Sequence, residues 1–247
     1  MKAAIEGVPD SPNPFASEDA AILSQENGKV RIEGWVDALV LQIRWNLALA
    51  HTDEVNAAKV LKPVAGHIPT ETTVSYQPLG VVSIIVPFNW PIAILGAALP
   101  HALLAGNTVI VKPSEQSPLS ASILAEECAR VLPPGVVNIV TGLGAEAGDA
   151  IVRHPKIKRL AFTGSAKTGM AIQKAAAEVA VKVFSLELGG KNPMIVFPDV
   201  DTDKAVTGAI AGMNFAWQGQ SCGSTSRLLL HDALHDAVLE RIEERVS

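Results

Sequence analysis

The sequence has 247 residues, of which 48% are hydrophobic and 18% charged, and its net charge at pH 7 is −5. This composition is typical of a soluble globular protein with room for one large domain or two smaller ones, and an acidic balance without a Lys/Arg cluster argues against a nucleic-acid partner. The two cysteines lie at unrelated positions and form no disulfide framework, so we expect a reducing, cytoplasmic location.

Two segments raise the question of targeting or membrane insertion. Residues 1–20 hold three prolines and four acidic residues and lack an apolar core, unlike a secretory signal. Residues 79–106 are long and apolar, but three prolines and Asn89 interrupt them, and unsatisfied backbone in lipid is costly. We therefore expect a buried strand, a loop and a buried helix, with no membrane contact.

The elements in chain order predict an α/β fold. Residues 30–60 look helical, and residues 72–77 alternate as an exposed strand does, one that can pair outside its own domain. β-Branched runs then recur at intervals too long for hairpins, and Ser117 is the predicted N-cap of one of the helices between them. The predicted strands cover residues 81–86, 108–111, 136–140, 160–162 and 183–188, and the helices cover residues 91–104, 117–131, 145–153 and 168–178. Fully apolar strands alternating with helices predict a mostly parallel, doubly wound sheet, a Rossmann-like domain.

The pattern beyond residue 190 begins a second α/β region. A strand is predicted at residues 194–197, then a helix with Asp201 as its N-cap, a strand at residues 227–231 and a charged helix from Asp232. The sheet to which these strands belong is not completed by this sequence.

Polar and glycine-rich turns follow three of the predicted parallel strands, at the edge where ligands bind in open α/β sheets. Lys112 and Glu115 follow one strand; the lysine can donate to ribose oxygens, and the carboxylate can accept from ribose hydroxyls and repel a 2′-phosphate, which favours NAD over NADP. The turn at residues 141–148, which contains Gly144 but does not have the GxGxxG spacing, and the turn at residues 164–169, which contains Ser165, each open a helix whose N-terminus can meet a phosphate. A surface lysine and glutamate ending a strand, and two plain strand-to-helix turns, are the alternative interpretation of these residues.

Three residues are candidates for covalent chemistry. Cys222 lies between Gly219 and Gly223, which suits close approach by a ligand. The alternative is that this cysteine is a small buried hydrophobic residue, and that is how we interpret Cys128. Glu187 ends an apolar run, where burial would raise its pKa and suit a general base; a strand-end glutamate paired with a lysine such as Lys191 is the alternative. Asn89 lies in a proline-bounded loop, where its carboxamide can donate to an oxyanion. The six histidines show no ligand spacing, so no metal site is predicted.

Four segments together resemble the aldehyde dehydrogenase superfamily, in the family's order. They are Pro87-Phe88-Asn89-Trp90-Pro91, Phe162-Thr163-Gly164-Ser165, Glu187-Leu188-Gly189-Gly190-Lys191 and Gly219-Gln220-Ser221-Cys222. The commoner form of the first is Trp-Asn-Phe, so the aromatic residues are exchanged here and the asparagine is kept.

The resemblance implies an NAD-dependent oxidation of an aldehyde to a carboxylic acid through a thioester on the cysteine. In it Cys222 is the nucleophile, Glu187 the base that activates water, and Asn89 the oxyanion donor, with NADP a less favoured cofactor than NAD. The glutamate favours the hydrolytic branch over relatives that transfer the acyl group to coenzyme A. The implied cofactor contacts are Val86, Lys112, Ser114, Glu115, Gly144, Gly164, Ser165, Gly169 and Leu188.

The resemblance also implies a domain division and a shortened chain. Residues 1–71 would be a helical segment of the cofactor domain, 72–80 an oligomerisation strand, 81–190 the NAD-binding domain and 191–247 the start of an incomplete catalytic domain. Family members are roughly twice as long, so we expect a fragment or a truncated paralogue, and the family's homo-oligomer is uncertain for it. A non-catalytic nucleotide-binding remnant and a thiol esterase are the alternatives. Sequence segments such as residues 138–144 and 225–231 resemble those of betaine-aldehyde and aminoaldehyde members of the family.

Overall fold

The computed structural model describes residues 19–62 and 71–247. The chain divides into two compact units, Met1–Glu187 and Leu188–Ser247. Predictions for residues 1–18 and 63–70, which include the absence of a secretory signal and parts of the 1–71 segment, lie outside the described residues. Among the helices that the structure describes, none has the length and apolar character needed to cross a membrane.

Helices open the described part of the first unit; those at Arg31–Ala50 and Thr52–Asn56 confirm the helical pattern of residues 30–60, whereas the helix at Asp19–Asn27 was not predicted and residues 59–60 lie in a strand. The helices are α1 (Asp19–Asn27), α2 (Arg31–Ala50) and α3 (Thr52–Asn56). Helix α2 buries Ala38, Leu41 and Trp45, whose spacing of three and four residues places them on one face.

Two short strands follow these helices. Strand β1 (Lys59–Leu61) pairs antiparallel with β2 (Thr72–Val74), and both are exposed along their whole length. Within the described residues the partner of the predicted strand 72–77 is therefore β1, and its pairing with a second chain stays a prediction.

A five-stranded sheet forms the centre of the first unit and confirms the predicted doubly wound α/β arrangement. Its order is β5-β4-β3-β6-β7, and the pairs β3–β4, β3–β6 and β4–β5 are parallel. The chain runs outward from β3 to β5 and then returns to the other side of β3, so the strand order switches between β3 and β6. The strands are β3 (Val81–Ile85), β4 (Thr108–Lys112), β5 (Val137–Ile139), β6 (Ile157–Gly164) and β7 (Val183–Leu188).

Helices cover both faces of this sheet and create two separate cores. Alternate side chains of β3 enter different cores: Val82 and Ile84 belong to one cluster, and Ile85 belongs to the other. This two-sided burial explains why the strands read as continuous apolar runs. The covering helices are α4 (Pro91–Leu104), α5 (Leu119–Val131), α6 (Asp149–Arg153), which follows a π-helical turn (Gly144–Gly148), and α7 (Ala166–Ala177).

The start of α5 corrects the prediction that Ser117 caps this helix. The helix begins at Leu119, and the Ser117 hydroxyl is buried without a hydrogen-bond partner among the described residues. The cap comes from Glu26 at the end of α1, whose carboxylate accepts from the backbone N–H of Leu119 at 2.6 Å and of Ser120 at 3.3 Å. A carboxylate here satisfies two of the unpaired N–H groups at the helix start and complements the helix dipole.

The second unit is a small α/β structure with its own core. Strands β8 (Pro193–Val196) and β9 (Arg227–Leu230) pair in parallel. The prediction that Asp201 is an N-cap is confirmed, because its carboxylate accepts from the Lys204 N–H at 3.0 Å. The last helix begins at residue 235, three residues later than predicted. The helical elements are α8 (Thr202–Met213), a 3-10 turn (Ala216–Gly219) and α9 (His235–Val246).

Candidate active site

The Cys222 thiol is exposed on a turn between α8 and β9. The backbone just before it is strained: Trp217 and Gln218 have φ values of 67° and 56°, in the left-handed region that side chains disfavour. Such conformations persist only where surrounding contacts hold them, and they cluster at functional sites. The turn is tied to the end of α8 by a hydrogen bond from the Thr225 N–H to the Gly212 carbonyl at 2.8 Å.

Asn192 holds the same turn from the other side, and sequence reasoning missed it. Its amide Nδ2 donates to the carbonyl of Cys222 at 3.0 Å and to the carbonyl of Ser224 at 3.1 Å. The reason lies in the strand pairing, because Pro193 at the start of β8 is in register with Arg227 at the start of β9. Residues just before the two strands are therefore neighbours. The signal available in the sequence was the position of Asn192 directly before a strand parallel to the one that follows the cysteine.

Cys128 is a core residue, as predicted. It lies on α5 with 1% of its surface exposed, in the cluster that covers one face of the sheet. Burial, with a smaller contribution from the charge of Glu127, raises the pKa of the Cys128 thiol to about 12. A thiol that stays protonated and enclosed is not a nucleophile, so the two cysteines have distinct chemistry.

Glu187 lies in β7, one residue before its end, and the expectation that it is buried is wrong. Strand β7 is the last strand of the sheet, and Glu187 and Leu188 are both exposed. The apolar run of residues 183–188 therefore belongs to an edge strand, where a carboxylate keeps its contact with water. The structure places the implied cofactor contact Leu188 next to it, as the first residue of the second unit.

The Asn89 loop runs from the end of β3 to the start of α4, and its backbone is held by residues near the N-terminus. The Asn27 amide donates to the Phe88 carbonyl at 3.1 Å, and the Lys29 ammonium donates to the Asn89 carbonyl. Asn89 itself is half-buried. The sequence offered no local signal for these contacts, because about sixty residues separate the partners.

The predicted cofactor residues of the first unit gather at the carboxyl edge of the parallel sheet. Val86 directly follows β3 and donates its N–H to the carbonyl of Lys112, the last residue of β4, at 3.1 Å. Gly144 opens the turn after β5, and Gly164 ends β6. Because the strands are parallel, these ends meet at one edge, next to the point where the strand order switches.

The loop after β4 carries the predicted ribose contacts. The buried Lys112 ammonium lies 3.6 Å from the Glu115 carboxylate, which is half-exposed, and it also donates to the Pro113 carbonyl at 3.0 Å. Ser114 accepts from the Gln116 N–H at 3.2 Å, which closes the turn. One face of Glu115 thus meets a cation and another meets solvent.

The turn after β6 has the geometry of a helix N-terminus that can receive an anion. Ser165 is the N-cap of α7: its hydroxyl accepts from the Thr168 N–H at 3.1 Å and donates to the Thr168 hydroxyl at 2.9 Å. Gly169 is buried in the next turn. The serine therefore orients the helix start, and the first N–H groups of α7 are the donors that this end of a helix supplies.

No group of three His, Cys, Asp or Glu side chains able to hold a metal ion occurs within residues 19–62 and 71–247. The candidate residues of the first unit are thus the Glu187 carboxylate, the Asn89 carboxamide and a set of backbone and side-chain groups at a sheet edge, and the second unit carries the Cys222 thiol. These groups suit acyl chemistry on a carbonyl compound together with a nucleotide.

The chain is similar to known proteins over nearly all of its length. Residues 15–247 match the aldehyde dehydrogenase family. The aldehyde dehydrogenase tropH of Talaromyces stipitatus is 50% identical over 184 residues, which are 73% of this chain and 35% of that protein. Betaine aldehyde dehydrogenase 1 of Oryza sativa subsp. japonica is 48% identical over 179 residues, which are 71% of this chain and 35% of that protein.

The solved structures agree with the sequence relatives. An NAD+ complex of an aldehyde dehydrogenase from Bacillus cereus superposes with a TM-score of 0.90 at 31% identity, over 99% of this chain and 49% of that chain. The chain spans 35% of the length of these two curated relatives and about half of the solved chain. Since the family match includes every described residue, the chain belongs to the aldehyde dehydrogenase family.

Proposed function

We propose that this chain carries the chemistry of NAD+-dependent oxidation of an aldehyde to a carboxylic acid, through a thioester on Cys222. The observation that carries the proposal is the exposed Cys222 thiol on a turn held by Asn192, in a chain of the aldehyde dehydrogenase family. A non-catalytic nucleotide-binding remnant and a thiol esterase are the competing proposals, and the experiment below separates them.

The residues at the carboxyl edge of the sheet fit a dinucleotide. The start of α7, with Ser165 as its cap, suits the pyrophosphate, and Lys112 and Glu115 suit the adenosine ribose. When bound, NAD+ supplies the acceptor for a hydride. We propose NAD over NADP because Glu115 can accept from both ribose hydroxyls, while its negative charge opposes a 2′-phosphate.

The chain's own residues divide the reaction into two steps. In the first, the exposed Cys222 thiol loses its proton to solvent, its sulfur bonds to the aldehyde carbon as the carbonyl π bond opens onto oxygen, and Asn89 donates to the resulting oxyanion. Loss of a hydride, which carries two electrons, restores the carbonyl and leaves a thioester. In the second, Glu187 takes a proton from water, the water oxygen bonds to the thioester carbon, and the carbon–sulfur bond breaks to release the carboxylate and the Cys222 thiol.

Glu187 is exposed rather than buried, so the proposal for the second step rests on the family match and on the access of its carboxylate to water. For the substrate we propose the betaine-aldehyde and aminoaldehyde class, which the name of the rice relative and several segments of this sequence support. We also propose a cytoplasmic location, in keeping with two free cysteines.

The test is a spectrophotometric assay of NADH formation by the purified chain with NAD+ and a panel of aliphatic, aromatic and amino aldehydes. Cys222→Ala should abolish NADH formation, and the matched Cys128→Ala should not, since that thiol is enclosed in the core. Glu187→Gln should give one NADH per chain and then stop, with an acyl adduct on Cys222 detectable by mass spectrometry.

Each competing function predicts a different result in the same assay. Hydrolysis of a p-nitrophenyl ester that depends on Cys222 but proceeds without any NADH would favour the esterase. Binding of NAD+ by a folded chain that neither forms NADH nor hydrolyses the ester would favour the remnant and refute the oxidation.

A further inference from the structure

Lys29 and Asp37 form a fully buried ion pair that none of the motifs explains. Lys29 lies between α1 and α2, Asp37 lies on α2, and the ammonium is 3.3 Å from the carboxylate oxygen Oδ2, with both side chains inaccessible to water. Removing two charges from water is costly, and a buried ion pair is by itself weak evidence for a stabilising role. The other contacts of the pair therefore matter more than the pair itself.

Both charged groups reach the loop that carries Asn89. The Lys29 ammonium donates to the Asn89 carbonyl and lies 4.9 Å from the centre of the Trp90 ring, a cation–π distance. The second oxygen of Asp37 accepts from the Ala93 N–H at 2.6 Å, in the first turn of α4. One buried pair thus holds the loop at the asparagine and again at the helix that follows it.

A neighbouring contact orients this arrangement. Asn27 accepts from the backbone N–H of Lys29 at 3.1 Å through its Oδ1 and donates to the Phe88 carbonyl at 3.1 Å through its Nδ2. The contacts to residues 88 and 89 are made to backbone atoms. They fix the path of the chain, and the path of the chain sets the direction in which the Asn89 side chain leaves it.

We propose that Lys29 and Asp37 are positioning residues that fix the backbone of residues 88–93 and thereby aim the Asn89 carboxamide at the oxyanion. The proposal rests on the oxyanion role proposed above for Asn89. Hydrogen-bond donors of this kind act on charge that develops during the reaction, and they work only if they are held within about 0.5 Å of the productive geometry.

Burial makes the two partners dependent on each other. It lowers the pKa of Lys29 and raises the pKa of Asp37, and in each case the charge of the partner opposes the shift. A single substitution leaves one buried charge without its counterpart and is expected to destabilise the protein generally. The informative variant removes both charges together, since replacing a buried pair by apolar side chains of similar volume is often neutral for stability.

The test compares the double variant Lys29→Met/Asp37→Leu with Asn89→Ala and with the unchanged chain. If the pair positions Asn89, the double variant should lower kcat by roughly tenfold to a hundredfold, less than or equal to the loss in Asn89→Ala, because removing one oxyanion donor costs about 10²–10³ in kcat. KM for NAD+ should stay unchanged, and adding the double change to Asn89→Ala should have little further effect. Lys29→Arg, which keeps a cation beside Asp37, should have a higher kcat than the double variant.

Lys182→Met is the matched control. The Lys182 ammonium is also buried and also donates to a backbone carbonyl, that of His154 at 2.5 Å, on a different part of the first unit. Its removal should leave kcat within about twofold, as expected for a position away from the reacting atoms.

The outcomes separate this proposal from the one on which it rests. If Asn89→Ala leaves kcat unchanged, the oxyanion role fails, and the positioning role falls with it. The positioning role alone is overturned if Asn89→Ala lowers kcat but the double variant does not. It is also overturned if combining the double change with Asn89→Ala lowers kcat by the product of the two separate losses. If the unchanged chain has no turnover, hydrogen exchange of residues 88–93 decides: exchange that is no faster in the double variant than in Lys182→Met overturns the proposal.

Discussion

Asn192→Ala tests whether the Cys222 turn depends on the asparagine amide. The substitution removes two hydrogen bonds, at 3.0 Å to the Cys222 carbonyl in an exposed position and at 3.1 Å to the partly buried Ser224 carbonyl. A neutral hydrogen bond contributes about 0.5–1.5 kcal/mol, with the larger value for the more buried one, so the pair contributes about 2 kcal/mol to the ordered turn. At 1.36 kcal/mol for each factor of ten, this corresponds to roughly a 30-fold fall in the equilibrium constant for ordering the turn.

The expected result is hydrogen exchange of residues 221–225 accelerated by roughly 30-fold, together with a lowered kcat, because only the ordered turn presents the thiol. Asn192→Asp keeps the size of the side chain but has no N–H to donate, so it should resemble Asn192→Ala. The matched control is Asn138→Ala, since the Asn138 amide also donates to two backbone carbonyls, those of Gly135 at 2.8 Å and Val109 at 3.5 Å. It should lower the melting temperature by a few degrees and leave exchange at residues 221–225 unchanged.

The reasoning would be refuted by an Asn192→Ala chain with the original exchange rates at residues 221–225, because the two hydrogen bonds would then contribute nothing to the turn. Unchanged kcat together with faster exchange would show that the turn is held by Asn192 but that its order does not limit the chemistry.

Three further predictions follow from single contacts. Glu115→Gln should raise the Kd of NAD+ by about tenfold and reduce the preference for NAD+ over NADP+ in binding titrations, because hydrogen bonds to a charged group contribute about 1.5–3 kcal/mol. An unchanged preference would contradict the assignment of Glu115 to the ribose. Iodoacetamide should modify Cys222 in the folded chain at pH 8 and Cys128 only after unfolding. Burial holds the pKa of Cys128 at about 12, whereas the unfolded thiol ionises near its ordinary value. Peptide mass mapping that finds Cys128 modified first would refute this. Asp201→Ala should lower the free energy of unfolding by about 1 kcal/mol, because it removes the hydrogen bond that caps the Lys204 N–H, while Asp201→Asn should lower it much less. Equal losses for the two variants in thermal unfolding would show that the cap bond is not the cause.

The sheet was predictable because local signals decided it. Apolar runs with helix signals between them fixed the number and sequence of the central strands, and Pro91 and Asp201 marked helix starts where the structure has them. Strand β6 extends further than predicted, since Lys158 and Arg159 are exposed and break the apolar run, while the pairing with β3 continues on both sides of a register shift at Lys158. A pattern of hydrophobicity detects the buried part of a strand, and hydrogen bonding continues beyond it.

Long-range contacts caused the wrong predictions. Ser117 and Pro118 form a plausible cap signal, yet α5 is capped by Glu26, which is 93 residues away from Leu119 in the sequence. Glu187 was expected to be buried because its run is apolar, and it is exposed because β7 takes the last position in the sheet. Strand order and the partner at a helix start are both tertiary properties, which composition and spacing do not contain.

The residues proposed for chemistry can be recognised from sequence motifs, whereas the residues proposed to position them cannot. Cys222, Glu187 and Asn89 lie in motifs with glycine or proline, because a reacting group needs a special backbone and close approach. Asn192, Lys29 and Asp37 act mainly on backbone atoms of other segments, and a backbone carbonyl is present whatever side chain the held residue carries. The exchange of Phe88 and Trp90 relative to the commoner family form follows the same logic. The hydrogen bonds to that loop end on the carbonyls of Phe88 and Asn89 and do not depend on the aromatic order, whereas the cation–π contact of Lys29 does, because Trp90 supplies its ring.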